Sequence, residues 1–394
     1  RISPTLTSPL LFRTIPLIAQ KQFLTAAYSL QLKPDANTLI IPYGDADFKS
    51  VSKTPFYADR SQFIPLLHQQ KHLVFLRPRR TGKTLLLDML QCYHGVEYGK
   101  EFRKIFRGLS ILKDKNGRSI PTARLNPKPN QYLIFHISFA SLDTQSVEKF
   151  ETSMHDEIRT SLKSFIRRYT SIVPQLQTCD TAHDNSISTL KDMCKVVGET
   201  SPFKIMVLVD EYDNAVNKAF GATDSALAKH LKVDDRNNAD TVKQQQSIFR
   251  RFFSALKDET SSSVERIFIT GVTPMALNDF TSGFNIADQI SLNENVSALA
   301  GLTEAEVKQF LTRILVNEND VEDALKFCRE YYNGYSFSAM STERMYTTQL
   351  VFYALDYIRM NGVLPKLDNA TDSSVLPSDY ALNISSAHPA GYRC

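Results

Sequence analysis

The chain has 394 residues, 42% hydrophobic and 22% charged, with a formal net charge of +4. That length exceeds one average domain and falls short of three, and the composition supplies a sizeable core, which excludes disorder as the whole account. The mild positive balance is too weak to argue nucleic-acid binding by itself, and it fits a solvated surface.

The cysteines Cys92, Cys179, Cys194, Cys328 and Cys394 are odd in number, far apart and without CxxC spacing. Neither a zinc site nor a disulfide framework follows, and free thiols in a reducing compartment fit best. No apolar run approaches the length needed to span a bilayer. The expectation is an intracellular protein, cytoplasmic or nuclear, with no membrane partner. "SPLLFRTIPLIAQ" is only moderately apolar and is broken by Arg13, which argues against a signal peptide; because the chain begins with Arg1 and not Met, secretion stays open.

In chain order, residues 1–50 form a poorly patterned lead-in with one expected strand at "TLIIPY" (38–43). "SQFIPLLHQ" (61–69) carries apolar residues at helical spacing. "HLVFL" (72–76) is a short apolar run that stops at Arg77-Pro78, as a buried strand would, and "TLLLDMLQCYH" (84–94) restarts with helical spacing. Residues 113–131 are turn-rich and predict a surface hairpin or loop, and "YLIFHISFA" (132–140) reads as a second buried strand. Phe150, Met154, Ile158, Leu162, Phe165, Ile166 and Tyr169 fall on one helical face. "FKIMVLVDEYD" (203–213) is a third strand ending in acids, residues 221–245 are polar and predict a loop or mobile insertion, and a helix follows at 246–258. "ERIFITGVTP" (265–274) is a fourth strand. Beyond residue 300 the pattern turns helical, opening on a capping box of Thr303 and Glu306.

The fold class this predicts is α/β: a parallel sheet flanked by helices, followed by a small helical domain. The expected divisions are a lead-in at 1–50, a core at 51–298, a lid at 299–361 and a loose tail at 362–394.

Chemistry concentrates at the strand ends. A phosphate loop cradles an anion with consecutive backbone N–H groups at a helix N-terminus, in the pattern GxxxxGK(S/T). The aligned octet is Arg77-Pro78-Arg79-Arg80-Thr81-Gly82-Lys83-Thr84, with Arg77 where the first glycine should stand. Gly82 lets the backbone approach phosphates, Lys83 reaches β/γ oxygens, and Thr84 is a hydroxyl ligand for Mg²⁺. Arg79, Arg80 and Thr81 complete the binding segment. Alone, the Gly-Lys-Thr triplet equally fits a basic turn capping a helix; a strand before it and a helix after it favour the phosphate loop.

Asp210 and Glu211 leave the third strand together. Asp210 would hold Mg²⁺ through water, and Glu211 would polarise the attacking water as a general base. Alone they fit solvent-facing acids at a strand terminus better; the strand, Gly-Lys-Thr and helix upstream favour the paired reading. Thr270, at the tip of the fourth strand, is the candidate to sense the γ-phosphate and place the water. Arg250, Arg251 and Arg266 are candidates for an arginine that meets transition-state charge, in cis or toward a neighbouring subunit; Arg250-Arg251 also fit a solvated helix face. Phe56 and Tyr57 could pack on a base or belong to the core, and His136 reads as a satisfied interior histidine.

These segments carry a resemblance. "TPFYADRSQFIPLL…HLVFLRPRRTGKTLLLDML" resembles the opening of the AAA-ATPase-like family, with its YxD…RPRRxGK(S/T) signature. "VLVDEYDNAV" is similar to its Walker B segment, and "FITGVTPMALNDFTSGFNIADQISLN…LAGLTEAEV" is similar to its sensor strand and helical start. "YYNGYSFS" resembles a later family turn. The likeness spans roughly residues 50–340, and within it the RPRR lead replaces the first glycine as a family trait.

The resemblance implies a P-loop NTPase, its parallel sheet flanked by helices and followed by a small helical lid, of the branch with an additional strand between its two Walker strands, here "YLIFHISFA". It implies ATP and Mg²⁺ as cofactors, Lys83 and Thr84 as the loop's lysine and hydroxyl, and Asp210 and Glu211 as the paired acids, converging with Lys83 from adjacent strand ends. Relatives often add a PD-(D/E)xK nuclease-like domain. The sequence past residue 361 holds Pro377-Ser378-Asp379 without a following ExK pair, so nuclease activity is not carried over. The expected function is Mg-dependent ATP hydrolysis coupled to conformational change. The alternatives are a non-hydrolysing nucleotide switch or scaffold for a protein or nucleic-acid partner, and a small-molecule kinase. A homo-oligomer would be required if an arginine acts in trans.

Overall fold

Apolar runs rich in Val, Ile, Leu and Phe are buried on both faces only where helices cover both sides of a parallel sheet, and they take that place here. The computed structural model describes residues 29–181, 185–214, 217, 248–273, 286–337 and 344–365. The expected loop at 221–245, most of the tail and the first 28 residues of the lead-in lie outside them.

The sheet consists of β1 (His72–Leu76), β2 (Tyr132–Ser138), β3 (Lys204–Asp210), β4 (Val264–Gly271) and the short β5 (Asp288–Gln289). Their order is β2-β3-β4-β1-β5, and all pairings are parallel. This corrects the expected place of the additional strand. β2 lies between the two acid- and lysine-bearing strands in sequence but sits at the sheet edge beyond β3; β4 separates β1 from β3. The lysine and the acids therefore approach from strands one apart, not adjacent. Each crossover carries the chain over the sheet, so sequence neighbours need not be sheet neighbours.

Side chains alternate across the sheet. Val74, Leu76, Val207, Val209, Ile267 and Ile269 face one core, covered by α2 (Val147–Tyr169), α3 (Ser186–Thr200) and α4 (Ile248–Glu259). Leu73, Phe75, Ile134, Met206, Leu208 and Phe268 face the other, covered by α1 (Lys83–His94) and helical turns at Phe48–Val51 and Phe102–Ile105. The long helix α2 buries the stripe its sequence spacing predicts, Phe150 through Tyr169. Helix α3 is not foreseen from the sequence, because its polar residues dilute the pattern.

A third core joins α5 (Glu304–Ile314), α6 (Glu318–Tyr331) and α7 (Thr348–Asn361) with a hairpin of β6 (Asn333–Tyr335) and β7 (Met345–Tyr346). The Thr303–Glu306 capping box opens α5, with both reciprocal bonds made. Leu30 and Ala36 belong to this core, and Leu30 N–H donates to Gly362 O at 2.7 Å. The expected strand at 38–43 does not form. A 3-10 turn at Ala36–Thr38 precedes it, Ile40 is 75% exposed, and the segment runs without a sheet partner toward Pro42 and the left-handed Gly44.

Candidate functional site

Strand β1 ends at Leu76, and α1 begins at Lys83. Between them the chain turns through Arg80 and Gly82, whose φ angles are +65° and +96°. Gly82 is the N-cap of a 12-residue helix, so free N–H groups and the positive end of the helix dipole face the loop's concave side. Lys83 is buried, and its Nζ donates to the carbonyls of Arg77 (3.1 Å) and Pro78 (2.9 Å). The Thr81 hydroxyl donates to Pro78 O at 2.9 Å, closing the turn.

Across β4, β3 delivers the acids. Thr84 Oγ1 donates to Asp210 Oδ2 at 2.7 Å, and Thr270 Oγ1 donates to Asp210 Oδ1 at 2.5 Å. The Glu211 amide also donates to Asp210 Oδ1, at 2.9 Å. Thr270 is fully buried behind Asp210 and does not line the cavity, so its hydroxyl meets the carboxylate and not the open space before it. Glu211 takes a left-handed backbone with φ +49°, an unfavourable conformation for a side-chain-bearing residue, and thereby turns out of the strand toward the cavity.

The cavity measures about 500 Å³ and is lined by the loop residues Arg79 through Thr84, by Glu211 and Asn214, and by Gly44-Asp45-Ala46. Its opposite wall is Leu299–Leu302 and Thr348, Gln349 and Phe352 of the helical region. Phe56 and Tyr57 both line it, and Phe56 is at the same time a fully buried member of the third core. The volume lies within the range of small-ligand and cofactor sites.

Burial holds Lys83 below the ordinary lysine range, against the pull of Asp210, Glu211 and Asp213. Burial, reinforced by the Asp210 carboxylate, pushes Glu211 upward. Each shift marks a charge held in poorly hydrated surroundings.

The remaining candidates separate. Arg250 and Arg251 lie on α4, on the sheet face opposite α1. Arg266 sits at the amino end of β4, away from the loop. It is buried, and its guanidinium donates to the carbonyls of His68 (3.0 Å) and Gln70 (2.8 Å). His136 is interior, but its Nε2 has no hydrogen-bond partner among the described residues.

Sequence reasoning missed several contributors. Asn214 accepts from Arg79 Nη2 at 3.1 Å and donates to Ala140 O at 2.7 Å, tying the loop to the end of β2. Asp213, 1% exposed, accepts from the Val272 amide at 2.9 Å and the Thr273 amide at 2.5 Å, clamping the segment after β4. The signal was present in "DEYDN", where two more polar residues follow the acid pair. From the helical side, Gly301 N–H (2.8 Å) and Thr348 Oγ1 (3.2 Å) donate to Thr81 O, contacts no local pattern announces.

The strand–loop–helix, the parallel sheet and the acids at the end of a second strand define an α/β protein with a P-loop NTPase-like fold. The chain belongs to the AAA-ATPase-like family: the family model described as "Predicted AAA-ATPase" matches residues 42–281, more than half of its length. It is also 23% identical over 321 residues to an "Uncharacterized protein in vnfD 5'region" from Azotobacter chroococcum mcd 1. That match covers 80% of this chain and 52% of the relative, so the chain spans about half the length of the curated relative it matches. Family membership makes nucleotide binding the family-level activity. Among the described residues, no helix is long and apolar enough to cross a membrane.

Proposed function

We propose that the chain binds ATP with Mg²⁺ in this cavity and hydrolyses it, and that nucleotide state is passed to the helical region. The observation that carries the reading is the meeting of Lys83, Thr84, Asp210 and Glu211 beside one cavity of about 500 Å³. In it the Gly82–Thr84 amides bind phosphate oxygens, Lys83 neutralises the β/γ oxygens, and Arg79 and Arg80 add positive charge at the rim.

Among the described residues, no cluster of three or more His, Cys, Asp or Glu side chains could hold a metal. An ion here would rest on Thr84 and Asp210 with phosphate oxygens and water, the oxygen-only set that suits Mg²⁺. When bound, Mg²⁺ would supply charge neutralisation to the phosphates. The Thr84–Asp210 pairing, two oxygens already side by side, fits that use.

Glu211 acts as general base. It accepts a proton from a water whose oxygen attacks the γ-phosphorus, the bond to the bridging oxygen breaks, and ADP leaves with phosphate. Its upward-shifted carboxyl is the more basic for this task. Thr270, buried and bonded to Asp210, orients that acid and does not touch water itself. On this reading residues 51–298 are the core, 299–361 the lid, 1–50 the lead-in and 362–394 the tail. A protein or nucleic-acid partner, or a second copy, would receive the conformational change.

The test is phosphate release from ATP and Mg²⁺ by purified protein, with and without DNA. Turnover that disappears in Lys83→Ala, together with binding weakened about 100-fold, is the expected result. Absence of both binding and turnover in the unaltered protein would reject the reading, while binding without turnover would leave a nucleotide switch in its place.

A further inference from the structure

Where the phosphate-loop pattern calls for glycine, this chain has an arginine, and that side chain is 1% exposed. Arg77 is not among the described residues with positive φ, so its backbone makes no demand for glycine. A side chain that was merely tolerated there would be free to reach solvent, as Arg79 does two residues on. The Arg77 guanidinium instead turns inward. It donates to the carbonyl oxygens of Leu76 (3.0 Å), Ser291 (2.6 Å), Val296 (3.1 Å) and Ser297 (3.4 Å). It lies between two aromatic faces, with its central carbon 4.3 Å from the Phe75 centroid and 3.9 Å from that of Phe337.

Burying a guanidinium is costly unless its donors and its charge are met; here carbonyl oxygens take both terminal nitrogens and two π faces meet the charge. These partners come from three places. Phe75 and Leu76 belong to β1, Ser291, Val296 and Ser297 to the stretch after β5 that leads into the helical region, and Phe337 to that region itself, just past β6. The Arg77 carbonyl, meanwhile, accepts from Lys83 Nζ. One residue thus holds the lysine by its main chain and the helical region by its side chain. The far half of the loop is gripped from the same side. Thr81 O accepts from Gly301 N–H, and Arg80 O accepts from the Gln349 amide at 3.3 Å.

We propose that Arg77 is a positioning residue for turnover: it pins the start of the phosphate loop to residues 291–297 and Phe337. The cavity wall at 299–302 and the first turn of α7 then stand at a fixed place over the phosphates. The inference rests on the nucleotide reading above and adds to it a residue that touches neither nucleotide nor water. Removing the pin leaves the loop amides and Lys83 in place, so binding persists. What is lost is the alignment of the opposing wall, and misplacements of that kind slow chemistry more than they weaken binding.

The experiment measures ATP dissociation constant and kcat per folded molecule for Arg77→Lys, Arg77→Gly and Phe337→Leu, with melting temperature alongside. Lysine keeps the charge but not the planar fork, glycine restores the common loop pattern, and Phe337→Leu leaves Arg77 intact. Should either Arg77 variant fail to fold, Phe337→Leu carries the test. The expected result is a dissociation constant within about threefold of the unaltered protein and a kcat lowered about tenfold or more, in Arg77→Lys and Phe337→Leu alike. Unchanged kcat with only a lower melting temperature, or an Arg77→Gly protein as active as the original, would overturn the proposal and leave the nucleotide reading standing. An unaltered protein that neither binds nor hydrolyses ATP would overturn both.

Discussion

Asp210 receives three hydrogen bonds, from the Thr84 and Thr270 hydroxyls and the Glu211 amide, while the Glu211 side chain next to it stands at the cavity in a left-handed turn. Neighbouring acids are thus set to different tasks by their surroundings: one is fixed, the other exposed to the reacting space. Burial and the Asp210 charge raise Glu211, so it binds its proton at a pH where an ordinary glutamate is already ionised. A base works only when deprotonated. Activity is therefore expected to fall as pH drops through that raised value, giving an acidic limb above the usual glutamate range in a kcat/KM–pH profile. A limb at or below that range would count against Glu211 as the base. Lys83, Thr84, Asp210 and Glu211 were legible in the sequence because they sit in contiguous runs bounded by strand and helix signals. The partners of Asn214 and Gln349 were not. Their contacts span 135 residues in the first case, Arg79 to Asn214, and link separate cores in the second.

At the level of elements, the turn after β3 depends on the end of β4. A Cβ on Gly271 would collide with the Tyr212 ring and come within 2.6 Å of Asp213 Oδ1. The glycine thus lets the Glu211–Asp213 turn lie directly on the neighbouring strand. Tyr212 N–H donates to Thr270 O at 3.1 Å, continuing that contact. Gly271→Ala is expected to lower stability by about 1–3 kcal/mol, as overpacking does, and to reduce turnover by displacing Glu211. Denaturant unfolding and phosphate release check the two effects, and an alanine variant with unaltered stability would show that the turn yields freely. The strands themselves were readable from their apolar runs, and α1 and α2 from their spacing. Sheet order was not, because the runs of β1 through β4 are alike in apolar character, and only the crossovers decide which lies centrally. "TLIIPY" fails as a strand for a related reason: β-type composition needs a free sheet edge, and its half-exposed residues pack on the helical core instead.

Across the whole molecule, the cavity is walled by three parts of the chain distant in sequence. Residues 42–46 form one side, the loop and Glu211 a second, and 299–302 with α7 a third. The helical region is bound to the segment ahead of β1 by Arg60, whose Nη2 donates to Glu306 Oε2 at 2.8 Å and to Gly301 O at 2.7 Å. A ligand seated in the cavity would contact all three parts at once, the arrangement through which occupancy can shift one against another. The most direct test of the account pairs equilibrium ATP binding with single-turnover phosphate release in Glu211→Gln. The account predicts that this variant binds ATP as tightly as the unaltered protein and releases phosphate at least about 100-fold more slowly. Phosphate release at the original rate would contradict it.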